Sequence, residues 1–179
     1  MSAIATAIGE NGGVRGCAGV LIVLAGLFSP SPAPADDHTA MPLAVADFDY
    51  RDTSGEVADQ TAAHAARVKS FTGLVRDTLA ANPDYRLVRL DCKPDCSVSS
   101  LGADGLIAAA RQAGARLLVY GGIHKMSTLV QWGEVQVVDL AQKKLLLSRT
   151  FTFRGDTDLA YRRAADFIGQ SLASVASKP

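Results

Sequence analysis

Two aspartates, Asp47 and Asp49, stand one residue apart at the end of an apolar run, PLAVADFDY over residues 42–50. Paired carboxylates at the end of a strand suit a hard cation and attack on phosphorus, since anionic oxygens neutralise the ion and one remains as nucleophile. The same side chains serve equally well to fix a turn and pair with nearby cations. Cys92 and Cys96 enclose Lys93-Pro94-Asp95. Three intervening residues are one more than the familiar redox motif has, and only His38, His64 and His124 are available to complete a tetrahedral zinc site, so a metal at these thiols is not expected. His38 falls in a linker and His64 near the start of an exposed helix, where both read as solvated; His124 beside Lys125 reads as a loop residue. Ser54 before Gly55 is a turn serine, and no Gly-flanked serine elbow follows a strand, so a Ser-His-Asp hydrolase lacks its nucleophile. Gly121-Gly122 lacks the spacing of a phosphate loop and reads as a place where a neighbour approaches the strand.

The amino terminus bears on the compartment. Arg15 precedes the apolar residues 18–28 (AGVLIVLAGLF), and Ala33-Pro34-Ala35 precedes Asp36. A charged start, a short apolar run and a small-x-small site are the parts of a secretory signal, and the run falls short of the ~20 apolar residues of a membrane-spanning helix. Residues 1–35 are therefore expected to be a cleaved signal peptide, 36–41 a linker and 42–177 a single domain, with the product in the periplasm and no transmembrane segment. Cys17 precedes the apolar run, whereas a lipidated cysteine follows it. Cleavage leaves Cys92 and Cys96 as an even pair in an oxidising compartment, which reads as a disulfide. The 18 basic and 18 acidic residues cancel, so no bulk charge attracts nucleic acid or an anionic bilayer.

The chain between these features alternates in period. Residues 42–50 read as a strand covered on both faces. Val68, Phe71, Val75 and Leu79 recur at helical spacing between about residues 59 and 81, and Asn82-Pro83-Asp84 ends that helix. Residues 85–90 (YRLVRL) form a second strand, 101–112 a second helix closed by Gly114, and 115–123 a third strand. Residues 129–140 and 145–154 form a hairpin. In the second of these runs Leu145, Leu147, Phe151 and Phe153 share a face. In the first, Val130 and Trp132 fall on even positions but Val135 and Val137 on odd ones, which calls for a bulge near Gly133. Ala164, Phe167, Ile168, Ser171, Leu172 and Val175 stripe a closing helix capped at Asp156 or Thr157. The fold class is α/β: a five-stranded mixed sheet, β-α-β-α-β-β-β-α along the chain, with three helices.

That topology is similar to the amino-terminal domain of the TolB family of envelope proteins and of related outer-membrane assembly proteins. A closer resemblance rests on His124-Lys125-Met126-Ser127-Thr128-Leu129, on residues 152–158 (TFRGDTD), on Tyr161-Arg162-Arg163, and on Asp47-Phe48-Asp49 with Asp52-Thr53-Ser54. These strings resemble, in order and over nearly the whole mature chain, a secreted proteobacterial family known as a domain of unknown function. The resemblance implies an exported single-domain protein and assigns no catalytic residue. Asp156 and Tyr161 stand where that pattern has asparagine and tryptophan. Asp47-x-Asp49 also resembles the paired aspartates of haloacid-dehalogenase-type phosphatases. Here, however, Arg51 replaces a threonine or valine, Asp156 and Asp158 have the wrong spacing for the later acidic pair, and the cap is missing.

Strand direction selects one end of the molecule. If the first three strands are parallel and the last two form a hairpin on the third, the last strand runs with the first three and four carboxyl ends point one way. Ligands of open α/β sheets bind at such an edge, where helix amino termini add partial positive charge. Asp49, Thr53, Lys125, Ser127, Arg154 and Asp156 are expected to converge there as the binding residues, with no catalytic residue, metal or cofactor. The function that follows is a periplasmic accessory or binding module contacting an envelope protein or a small ligand; the alternative is a small metal-dependent hydrolase or phosphatase using Asp47 and Asp49. Export is checked by intact mass: the mature protein is expected to begin at Asp36, and exported protein retaining residues 1–35 contradicts it.

Overall fold

The computed structural model describes residues 39–173 and 175, so the signal peptide expected at residues 1–35 and His38 lie outside the described residues. Along the chain run β1 (Met41–Val45), β2 (Asp49–Asp52), α1 (Thr61–Ala80), β3 (Tyr85–Leu87), α2 (Val98–Gln112), β4 (Leu117–Lys125), β5 (Val130–Asp139), β6 (Lys144–Arg154) and α3 (Asp158–Ala173). The sheet order is β3-β1-β4-β5-β6, with β2 also on β4. β1 is parallel to β3 and β4, β2 is parallel to β4, and β5 is antiparallel to both β4 and β6. The fold is thus α/β with three helices and a mixed sheet, and β1, β3, β4 and β6 all end at one edge.

The single strand expected over residues 42–50 is two strands, so the sheet has six rather than five. Val45 pairs with Val119 but Asp49 pairs with Gly122, which leaves one extra residue on the β1–β2 side. Around this bulge the backbone finds other acceptors: Asp47 N–H donates to the Cys96 carbonyl at 2.9 Å and Phe48 N–H to Thr72 Oγ1 at 3.4 Å. Composition cannot reveal such a break, because Ala46 and Phe48 are as buried as their strand neighbours.

The two faces carry separate cores. On one, α1 and α3 cover Leu43, Val45, Val119, Ile123, Val135, Val137 and Phe151; on the other, α2 packs on Ala44, Ala46, Leu118 and Leu140. Phe71 of α1 lies edge-on to Phe48 at 5.0 Å and stacks with Phe151 at 6.1 Å, joining the β1–β2 bulge, α1 and β6. Each such pair adds about 0.5–1.5 kcal/mol beyond its buried area.

Several readings of phase are corrected. No bulge occurs at Gly133, where the β4–β5 register is continuous; the shift lies between Val137 and Val138 against β6. The odd positions of β5 face inward throughout, including Gln131, whose buried amide accepts from Tyr161 Oη at 2.6 Å and donates to the Gly155 carbonyl at 3.0 Å. A buried, satisfied glutamine looks polar in sequence, and that produced the apparent change of phase. The shift puts Leu145 opposite Val138 and leaves it 50% exposed, off the face of Leu147 and Phe151. Phe167 is likewise exposed, beneath the Arg149 guanidinium at 5.5 Å. Residues 98–112 are two helical pieces broken at Gly102 (φ +67°, ψ 167°): Ser97 Oγ caps the first by accepting from Ser100 N–H, and the helix expected from residue 101 corresponds to the second.

Gly121 and Gly133 are required by close approach. A Cβ on Gly121 would lie 2.1 Å from the Glu134 carbonyl oxygen, and one on Gly133 would lie 2.4 Å from the Phe151 ring. Gly121→Ala is therefore expected to destabilise the fold by about 2 kcal/mol or more. Gly73→Ala, at a helical position where a Cβ would meet nothing within 4 Å among the described residues, is expected to stabilise by about 0.5–1 kcal/mol. Urea unfolding of the two variants checks both signs.

Candidate functional site

Lys125 ends β4 with its side chain 0% exposed. An ammonium taken out of water costs several kcal/mol unless anions meet it. Asp156 Oδ2 lies 2.7 Å from Nζ, Glu56 Oε2 2.6 Å and Asp52 Oδ2 3.9 Å. His64, one turn inside α1 and 3% exposed, sits between them, with Nε2 2.7 Å from Asp156 Oδ2 and Nδ1 3.6 Å from Asp52. Arg67 donates to Asp156 Oδ1 at 2.7 Å and to Asp158 at 3.1 Å. One cluster thus joins the end of β2, the β2–α1 loop, α1, the end of β4 and the start of α3.

The protonation pattern follows from the donors. Burial by itself pulls Lys125 down, but bonds to Asp156 and Glu56 outweigh it and the net shift is upward, so the ammonium stays charged. Burial pushes Asp156 up, but hydrogen bonds from Lys125 and His64 and the Arg67 charge hold it below the usual carboxylate range. An ionised Asp156 only accepts, so the 2.7 Å bond places a proton on His64 Nε2. Lys125 and His64, 3.2 Å apart, then converge as two donors on Asp156. Burial, and next the Asp156 charge, pushes Tyr161 up to about 12; burial, and next Tyr161, pushes Tyr50 up further. Both phenols stay protonated.

Some of the residues singled out from sequence meet, and others do not. Lys125 and Asp156 bond directly, and Thr53 N–H donates to the Lys125 carbonyl at 2.9 Å while its Oγ1 lies 2.7 Å from His124 Nε2. Asp49 is turned away, accepting from Ser99 N–H at the start of α2. Ser127 Oγ closes the β4–β5 turn by accepting from the amides of Leu129 and Val130. Arg154, exposed, pairs across the sheet with Val130. Asp47 is committed within the protein through both oxygens, to Arg76 through Oδ1 at 3.0 Å and to Cys96 N–H through Oδ2 at 2.9 Å. The two aspartates thus hold different elements.

His64 corrects the reading of that residue as solvated. Its signal was present, because position 64 extends the Val68-Phe71-Val75-Leu79 stripe back by one turn. Arg67 follows His64 by three residues, a spacing that sets the two side by side on the helix surface. Glu56 carries no local signal.

Beside the cluster, the same edge holds a groove of about 1280 Å³ between α1 and the Cys92–Cys96 disulfide, whose Cα atoms are 5.2 Å apart. Val45, Phe48 and Val68 line its floor, and Lys69, Arg76 and Arg89 stand around it. Arg76 donates twice to the Val45 carbonyl, filling the place beside β1 that β3 leaves when it ends at Leu87.

A mixed α/β sheet with a buried ion cluster and a groove at its carboxyl edge defines the class. The chain belongs to the family described as "Protein of unknown function (DUF2380)", whose profile matches residues 41–171. No curated protein matches it by sequence. Among solved structures it is similar to the hypothetical protein CT253 of Chlamydia trachomatis, at 10% identity over 79% of this chain and 100% of that one, TM-score 0.55. It is also similar to the PelC dodecamer of Paraburkholderia phytofirmans, at 14% identity over 78% and 90%, TM-score 0.51. TolB of Acinetobacter baumannii matches at 12% identity over 76% of this chain but only 28% of its own length, TM-score 0.48. At these identities the likeness is one of fold. Among the described residues, no helix is long and apolar enough to cross a membrane.

A carboxylate held below its ordinary range stabilises the fold above its unfolded value, ~4, and loses that contribution as pH falls through the lower folded value. Asp156→Asn is therefore expected to cost about 3–5 kcal/mol at neutral pH, since it leaves Lys125 and Arg67 short of an anion. It is also expected to flatten the fall in stability below about pH 4. Urea melts of variant and parent across pH check both.

Proposed function

We propose that this protein is a non-enzymatic, exported accessory or binding module of the cell envelope, contacting an envelope protein or a small ligand through the carboxyl edge of its sheet. The observation that carries the reading is the groove between α1 and the disulfide-closed loop, an apolar floor with charged side chains around it at the carboxyl ends of β1 and β3. Sites of open α/β sheets lie at this edge, where the strand order reverses. Here it reverses about β1: the chain passes from β1 to β3 on one side and then back to β4 on the other.

Asp49, Thr53 and Arg154 present partly or fully exposed side chains along this edge, while Lys125, Ser127 and Asp156 hold its loops in place. The engagement of Asp47 and Asp49 with Arg76, Cys96 and Ser99 supports binding over metal-dependent hydrolysis. The apolar run ahead of Ala33-Pro34-Ala35 and the Cys92–Cys96 disulfide support a periplasmic location.

Lys69 and Arg89 are exposed and border the groove. The double variant Lys69→Glu with Arg89→Glu is expected to melt like the parent and to weaken binding of a purified partner or ligand by about tenfold or more. Unchanged affinity in that variant excludes the groove as the contact surface.

A further inference from the structure

Residues 53–60 cross above Lys125 with little to hold them down. Their side chains are exposed except for Ser54, Glu56 and Gln60, which are half-buried, and Val57 is fully exposed at 103%. Most of the segment's hydrogen bonds are local: Ser54 N–H to Asp52, Glu56 N–H to Ser54, Gln60 Nε2 to Glu56 and Thr61 N–H to Asp59. Thr53 fastens one end to the Lys125 carbonyl and His124, and helix α1 begins at the other. Between those ends, among the described residues, the one polar tie to the body is Glu56 Oε2 on Lys125 Nζ at 2.6 Å.

That tie is half-satisfied. Among the described residues Glu56 Oε1 is buried without a hydrogen-bond partner, and an unmet buried acceptor raises the free energy of the closed state. Gly55, at φ +71° with open space where a Cβ would sit, gives the segment a turn that other residues resist. Lys125 also keeps Asp156 when Glu56 leaves, so opening does not strand a bare ammonium.

We propose that residues 53–60 form a hinged lid, latched by the Glu56 carboxylate on the Lys125 ammonium, whose opening uncovers Lys125, His64 and Asp156 at the carboxyl edge. The latch is a single charge-assisted bond without apolar backing, so the segment opens while the sheet and helices stay folded. The lid stands independently of the groove, since its latch involves none of the groove's side chains.

Elastase cleavage at Val57 or Ala58 of the native protein reads the opening, because cleavage of a folded chain follows the population of the open form. Glu56→Gln is expected to accelerate this cut by about tenfold or more, with a cooperative melt and protected core. Lys125→Met releases the latch from the other side without altering the cleaved sequence and is expected to do the same. Should Lys125→Met fail to fold, Gln60→Ala replaces it, with a smaller acceleration at the same site. An unchanged cutting rate in Glu56→Gln, or cleavage rising equally throughout the chain, overturns the proposal.

Discussion

A fully buried ammonium at the end of β4 is the constraint on which the carboxyl edge depends. Lys125 is placed by the sheet, because residues 117–125 pair on both sides, with β1 and β2 on one and β5 on the other. Once it is there, its charge must be met, and the anions that touch it stand beyond the strands. Glu56 comes from the loop after β2 and Asp156 from the turn after β6, with Asp52 at the very end of β2. The positions of these loops therefore follow from the charge rather than from apolar packing.

The helix ends fit the same requirement. All three helices start at this edge, and each start is a site of partial positive charge with unmet N–H groups. Asp158 lies in the first turn of α3 and pairs with Arg67, Thr157 Oγ1 accepts from Ala160 N–H, and Asp49 accepts from Ser99 N–H at the start of α2. Aspartates that looked in sequence like candidate metal ligands are absorbed by helix ends and guanidinium groups. The acidic character of this edge therefore balances the helix ends as well as the buried lysine.

The order of elements and the direction of the strands were legible because they rest on periodicity and on the handedness of crossovers, which are local or nearly local properties. The disulfide was legible from a count of cysteines and an expected compartment. The partners of Lys125 were less so. Glu56 and Asp156 lie 69 and 31 residues from it along the chain, and nothing in DTSGEVAD marks which carboxylate turns inward. His64 was missed for a different reason: a histidine on an apolar stripe was read by its own polarity instead of by its place in the stripe. Gln131 misled in the same way, since a satisfied amide inside β5 is indistinguishable in sequence from one facing water. Buried polar residues are thus where reading by hydrophobic period fails, and here His64, Lys125 and Gln131 lie at the edge that carries the ion cluster.

The groove and the cluster both follow from the break between β1 and β2. An uninterrupted strand would keep β3 and β4 as its neighbours along its whole length, but β3 stops at Leu87 and the bulge moves the continuing strand onto β4 alone. On the side thus vacated, Arg76 reaches across to the Val45 carbonyl, Asp47 turns to meet both Arg76 and Cys96, and the disulfide loop closes the far wall. On the other side, β2 carries Asp52 alongside Lys125 and delivers the chain into the loop that bears Glu56. One extra residue in a strand therefore separates a groove walled by a helix and a disulfide from a charged cluster beneath a sparsely bonded loop, and it gives the same edge two surfaces of different construction.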